Sequence, residues 1–137
     1  AIAALLGAGA VVLCAGGGGI PVVQHGDGHR GVDAVIDKDR VSALLATSLA
    51  ADMLVISTAI DALRLDFGEE SERTLREISR SEAEQHMESG QFPPGSMGPK
   101  VSAMLSAKSA NPEIQVVLCQ PGEAFAALRG EAGTEII

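Results

Sequence analysis

Apolar positions along this chain fall into short unbroken runs separated by stripes at helical spacing. Residues 11–14 (Val-Val-Leu-Cys), 53–57 (Met-Leu-Val-Ile-Ser) and 114–119 (Ile-Gln-Val-Val-Leu-Cys) are short and rich in branched side chains. That is the pattern of strands covered on both faces. Between them, residues 39–49 place Val41, Leu44, Leu45 and Leu49 on one helical stripe, with Asp39 expected as the N-cap. Val101, Met104 and Leu105 mark a second helix after Lys100, and residues 123–128 a short last one before Ile136 and Ile137. Residues 1–6 read as the tail of a helix closed by Gly7. Residues 67–90 are polar and charged, which predicts a surface excursion with two short helices, Ser81 and Glu84 standing at capping-box spacing. Strands alternating with helices in this way predict an α/β domain with a mostly parallel sheet.

Composition narrows the classes of function. The 137 residues fit one domain, and 46% hydrophobic content is enough to build a core. Ten Lys and Arg stand against eighteen Asp and Glu, for a net charge of −8, with three Phe and neither Trp nor Tyr. There is thus no basic stripe or aromatic platform for nucleic acid, and that class is set aside. Cys14 and Cys119 lie in apolar runs without C-x-x-C spacing, so both are expected as buried, reduced thiols of a cytoplasmic protein rather than a disulfide or zinc site. Residues 1–23 carry no charge. Gly16, Gly17, Gly18 and Gly19 interrupt that run and no basic stretch precedes it, so it is read as neither a membrane span nor a signal peptide. The chain opens with a helix already under way, which suggests part of a longer polypeptide.

The candidate chemistry starts from two lysines. Lys38 follows Ile36-Asp37, and Lys100 follows Gly95-Ser96-Met97-Gly98-Pro99, each beside the opening of a helix. The first N–H groups of a helix have no internal partner and lie at its positive end, so a phosphate there meets both donors and dipole. In an acidic chain, two lysines so placed suggest a local phosphate clamp; the plain alternative is a pair of solvated lysines. Lys38 and Lys100 are expected to converge beside Gly16–Gly19. That glycine run matches neither G-x-x-x-x-G-K-[ST] nor G-x-G-x-x-G, but it offers a strand end without side chains, where backbone N–H groups can approach an anion or a small planar substrate. A flexible turn leading to a hairpin is the alternative. His25, Asp27 and His29 lie close in sequence, but two glycines between them and the lack of a fourth ligand argue against a metal site. His86 is expected to be exposed.

Four segments in order, 14–22 (CAGGGGIPV), 31–39 (GVDAVIDKD), 95–101 (GSMGPKV) and 130–134 (GEAGT), resemble the carbamate kinases of the amino acid kinase family. The resemblance covers essentially the whole chain and corresponds to the C-terminal, nucleotide-binding half of that family. It implies an incomplete three-layer αβα fold and reversible phosphoryl transfer between ATP and carbamate, giving carbamoyl phosphate and ADP. Mg2+ would be carried mainly on the nucleotide phosphates, with no protein metal site. By resemblance Lys38, Asp39 and Lys100 would be catalytic. Lys38 would contact nucleotide phosphate, Asp39 would orient the lysines, and Lys100 would offset charge on the transferred group. Thr58 and Asp61 would belong to the nucleotide-side loop, with Met97 and Gly98 also on the nucleotide, and Gly16, Gly17, Gly18 and Gly19 would line the acceptor side. Leu63-Arg64 departs from the Val-Tyr pair common in relatives and takes an aromatic ring from near the adenosine pocket. The implied partners are small molecules together with either a second copy of the chain or a missing N-terminal half, without nucleic acid or membrane. Alone, the chain is expected to be inactive. A non-catalytic domain that binds a nucleotide or anion is the other reading.

Overall fold

A computed structural model describes all 137 residues. In chain order the elements are α1 (Ile2–Gly7), β1 (Val22–His25), β2 (Gly28–Gly31), α2 (Lys38–Ser48), β3 (Met53–Ser57), β4 (Leu63–Leu65), β5 (Arg73–Leu75), β6 (Glu77–Ile78), α3 (Arg80–Glu88), α4 (Met97–Ala110), β7 (Gln115–Cys119), α5 (Ala124–Leu128) and β8 (Thr134–Ile136). Four strands form one mixed sheet in the order β3-β7-β8-β6. β3 pairs with β7 and β6 with β8 in parallel, whereas β8 runs antiparallel to β7. β1–β2 and β4–β5 are separate antiparallel hairpins.

β7 shows why its run is apolar throughout. Val116 and Leu118 are fully buried in the main core with Val101, Met104 and Ala107 of α4 and Ala43 and Ala46 of α2. Val117 and Cys119 point the other way, onto Ala127 of α5 and half-buried Val55. A strand has a side-chain period of two, so covering both faces requires apolar residues at every position, each stabilising the fold by about 1.5–3 kcal/mol. The result is a layered α/β domain with α2, α3 and α4 on one face and α5 on the other. Buried Thr134 ties the β4–β5 hairpin to the sheet: its hydroxyl accepts from the Leu63 N–H at 2.8 Å and donates to the Leu75 carbonyl.

Four expectations are corrected. Residues 11–14 form no strand: Val11 is 95% and Leu13 98% exposed, and Cys14 is exposed too, so only Cys119 is a buried thiol. Residues 12–14 lie across a cavity from 55–57 of β3 without forming a ladder with it, so the apolar run has no covering layer. The excursion at 67–90 holds β5, β6 and a single helix, α3, capped by Ser79 with Glu82 in a reciprocal box rather than by Ser81 with Glu84. Helix α2 is capped by Asp37, whose Oδ1 accepts from the N–H groups of Asp39 (2.8 Å) and Arg40 (3.3 Å), leaving Asp39 inside the first turn. His86 is half-buried rather than exposed. No helix is long and apolar enough to cross a membrane.

Candidate functional site

The site grows from the packing of α2 against α4. Because Asp37 takes the capping role, Asp39 is free to turn inward, where it is 7% exposed. Its Oδ2 accepts from the Lys100 ammonium at 2.6 Å and lies 3.6 Å from that of Lys38. Two helices distant in sequence thus place both lysines on one carboxylate oxygen. The Lys100 side chain is largely enclosed, whereas that of Lys38 is 62% exposed. The Asp37 carboxyl is pushed up by its limited desolvation, but the Asp39 and Arg40 N–H groups, together with the charges of Lys38 and Lys100, outweigh this and hold it below the ordinary carboxylate value. Lys100 lies in the first turn of α4 just after Pro99, whose missing N–H falls where the helix has no partner to offer.

Lys38 and Asp39 share a cavity of about 430 Å³ with Cys14, Gly17, Ser42 and Ser57. Gly17 is the one member of the glycine run that lines it. Gly18 has a different reason to be glycine: a Cβ there would lie 1.6 Å from the Ile36 carbonyl oxygen, so the loop rests directly on the segment that leads into Lys38. Gly16 and Gly19 adopt positive φ, 59° and 72°, and turn the chain on either side.

A second cavity, of about 440 Å³, opens between the loop after β3 and the start of α4. Ile60, Phe67, Phe92, Pro93 and Met97 give it apolar walls, and Asp61, Arg64, Gln91, Ser96 and Gln120 its polar groups. Arg64 donates to Asp61 at 3.0 Å and to Glu72, and Glu72 also accepts from the Gly68 N–H at 2.8 Å. The hydrogen bond from Arg64 holds the Asp61 carboxyl below its ordinary value; for Glu72 the Gly68 N–H does most, and Arg64 adds to it.

Of the residues singled out from the sequence, Lys38 and Asp39 line the first cavity, Lys100 joins them through Asp39 without lining it, and Asp61 and Met97 line the second. Thr58 lies between the two cavities and lines neither, its N–H donating to the Cys119 carbonyl at 2.9 Å. Gly98 is buried, its N–H on the Pro93 carbonyl at 2.8 Å, and a Cβ would stand 3.1 Å from that oxygen, so it sets the start of α4. Both cavities lie at the C-terminal end of β3, the end at which open α/β sheets bind ligands. Gln91, Phe92 and Gln120 were not singled out in the sequence; they come from two separate loops and carry no local motif. On the β1–β2 hairpin, Gln24 pairs with His29 and His25 with Gly28. Alternation therefore sends the two histidines to opposite faces. No three His, Cys, Asp or Glu side chains come close enough to hold a metal ion.

Comparison with known proteins places the chain in context. The model of the amino acid kinase family matches residues 1–119. A carbamate kinase of Staphylococcus haemolyticus is 45% identical over 135 residues, covering 98% of this chain and 44% of that protein. A carbamate kinase of Clostridium perfringens is 43% identical over 137 residues, again covering 44% of its length. Carbamate kinase from Giardia lamblia, solved with AMP-PNP bound, superposes with a TM-score of 0.94 at 38% identity, covering 99% of this chain and 43% of that one. The chain thus spans less than half the length of the relatives it matches.

Proposed function

The chain belongs to the amino acid kinase family, and from that premise we propose that it is the nucleotide-binding half of a carbamate kinase-type phosphotransferase, which moves a phosphoryl group reversibly between ATP and carbamate. The observation that carries this reading is the single Asp39 oxygen shared by Lys38 and Lys100 beside a glycine loop at the C-terminal end of a parallel strand pair. Phosphoryl transfer passes through a loose transition state with charge spread over the equatorial oxygens, so positioning and electrostatic stabilisation supply most of the catalysis. A carbamate oxygen attacks the γ-phosphorus of ATP as the bond to ADP breaks; in reverse, ADP takes the group from carbamoyl phosphate.

Each residue then has a task. Exposed Lys38 reaches the nucleotide phosphates, and enclosed Lys100 offsets charge on the group in transit. Asp39 fixes both ammonium groups before substrate arrives, so no reorganisation is needed during the reaction. Gly16, Gly17, Gly18 and Gly19 line the acceptor side, and the apolar cavity at Asp61 and Met97, next to Thr58 and Gly98, takes the nucleoside. Mg2+ would be carried mainly on the nucleotide phosphates, where it neutralises their charge. The remaining N-terminal length of the family would complete the acceptor side, and we take this missing half rather than a second copy of the chain as the complement. The two free thiols suit a cytoplasmic setting.

The test is ATP formation from ADP and carbamoyl phosphate. The chain alone is expected to give none, while the N-terminal half of a close relative added in trans gives measurable turnover that Lys100→Ala abolishes. Turnover by the complemented Lys100→Ala chain would remove the proposed clamp from the mechanism. Nucleotide binding with no turnover in the complemented chain would favour a non-catalytic domain instead.

A further inference from the structure

We propose that Gln91 is a positioning residue: its amide ties the tip of the β4–β5 hairpin to the loop that leads into α4, and so fixes the separation of the two walls of the 440 Å³ cavity. The inference rests on the nucleotide reading above. It concerns what keeps the cavity in one shape before a ligand arrives.

Such a tie needs a fixed base. Gly90, at φ 78°, ends helix α3: its N–H donates to the Met87 carbonyl at 3.1 Å and the Gln91 N–H donates to the His86 carbonyl at 3.0 Å, the paired bonds of a Schellman ending. The next residue, Phe92, is 4% exposed and belongs to the main core. The Gln91 backbone is thus held on both sides. From there the side chain reaches Asp66, and both ends of the amide engage that one residue. Its Oε1 accepts from the Asp66 N–H at 2.8 Å, and its Nε2 donates to Asp66 Oδ1 at 2.9 Å. Only one orientation of the amide satisfies both bonds.

The far end needs holding. Asp66 has φ 51°, a left-handed conformation that a residue other than glycine keeps only where its surroundings over-determine it. The turn after it is built from its own bonds, the Glu69 N–H on the Asp66 carbonyl and the Gly68 N–H on Glu72, and it carries Phe67 into the cavity wall. Thr134 and buried Leu63 and Leu65 anchor the base of the hairpin. At its tip, the hydrogen bonds to the rest of the molecule are those of Gln91. Across the cavity, Phe92 and Met97 pack on the main core. Without the tie, the wall bearing Phe67 is free to swing while the opposite wall stays. A ligand must then order that wall as it binds, which weakens affinity without removing any contact to the ligand.

The experiment measures the Kd of ADP and of tripolyphosphate by calorimetry for the chain and two variants. Gln91→Met is neutral, of similar length, and loses both bonds. Gln91→Glu combined with Asp66→Asn exchanges donor and acceptor, keeps the net charge, and places at 66 a residue that tolerates the left-handed region. Gln91→Met should raise the Kd for ADP about ten-fold, while that for tripolyphosphate stays within about two-fold. Its residue 66 amide should exchange faster with deuterium. The exchanged pair should recover both the affinity and the slow exchange, which a side chain serving only to fill space would not. The inference is overturned if Gln91→Met leaves ADP affinity or the amide exchange unchanged, if it weakens both ligands equally, or if the exchanged pair binds ADP no better than Gln91→Met. If instead the unaltered chain binds neither ligand, or Lys100→Ala leaves tripolyphosphate binding intact, the nucleotide reading itself fails.

Discussion

Residues 1–35 are richer in apolar side chains than residues 36–137, yet every buried residue of the molecule lies in the second region. In the first, Val11, Leu13, Ile20 and Val35 are 86–99% exposed; in the second, Val116, Val117, Leu118 and Met104 are wholly enclosed. The same residue types thus meet opposite fates. What separates them is a partner layer, since an apolar side chain stabilises a fold only when another surface removes it from water. β7 has helices over both faces, whereas residues 12–14 face β3 across a cavity with nothing laid over them. β3 is moreover an edge of the sheet, and an unpaired edge is a template for another strand. Within the proposed function, the complementary half supplies this missing layer, while the nucleotide side is already assembled in the second region.

The contrast can be broken most forcefully by a pair of matched truncations. Leu118→Ala should cost about 2–5 kcal/mol, because it leaves a void in a closed core, whereas Leu13→Ala should stay within about 0.5 kcal/mol. Denaturant unfolding of both variants decides the matter, and equal losses would mean that residues 11–14 are packed after all. Asp39→Asn probes the assembled side. It should fold with a loss of about 1–2 kcal/mol and weaken ADP binding more than ten-fold, as read by titration, since both lysines lose the charge that holds them. Unchanged ADP affinity would show that the lysines do not depend on it.

Gly18→Ala links the two regions, because its methyl group must displace the Ile36 carbonyl and with it the approach to Lys38. Tripolyphosphate affinity should fall a few-fold while the thermal midpoint stays near that of the parent chain. The smallest effect is that of acid. Asp61 and Glu72 have folded pKa values below their ordinary 3.8 and 4.5, so their contribution is complete above those values and is lost as pH falls through the lower folded ones. Stability should be insensitive to these two groups between about pH 5 and 7 and should drop below about pH 4. In Glu72→Gln that drop should be shallower.

Which elements were legible in the sequence follows from the same contrast. β7 and α4 were readable because their apolar spacing and their burial agree; β3, α2 and α5 were readable as elements, but α2 buries Ala43 and Ala46 rather than the expected stripe of Val41, Leu44, Leu45 and Leu49, with Leu44 64% exposed. The run at 11–14 misled because periodicity reports what a segment could bury, not whether the chain supplies the cover. The caps misled by degeneracy. Ser79 and Ser81 each precede a glutamate by three residues, and Asp37 and Asp39 flank one lysine, so local spacing cannot choose between them. The choice of Asp37 as the cap is coupled to Lys100, 61 residues from Asp39, which draws Asp39 inward. The lysines themselves were visible as helix-opening residues, but their shared oxygen was not. The second cavity was the least legible part, since its walls come from separate loops and Arg64 appeared only as a departure from a resemblance.

Amide hydrogen–deuterium exchange of the chain, with and without ADP, tests the central claim most directly because it reads both regions at once. ADP is predicted to slow exchange in residues 36–41, 59–64 and 96–101, while residues 1–35 exchange quickly whether or not nucleotide is present. Protection confined to residues 1–35, or no change around Lys38 and Lys100 at saturating ADP, would contradict the assignment of the nucleotide site to the assembled region.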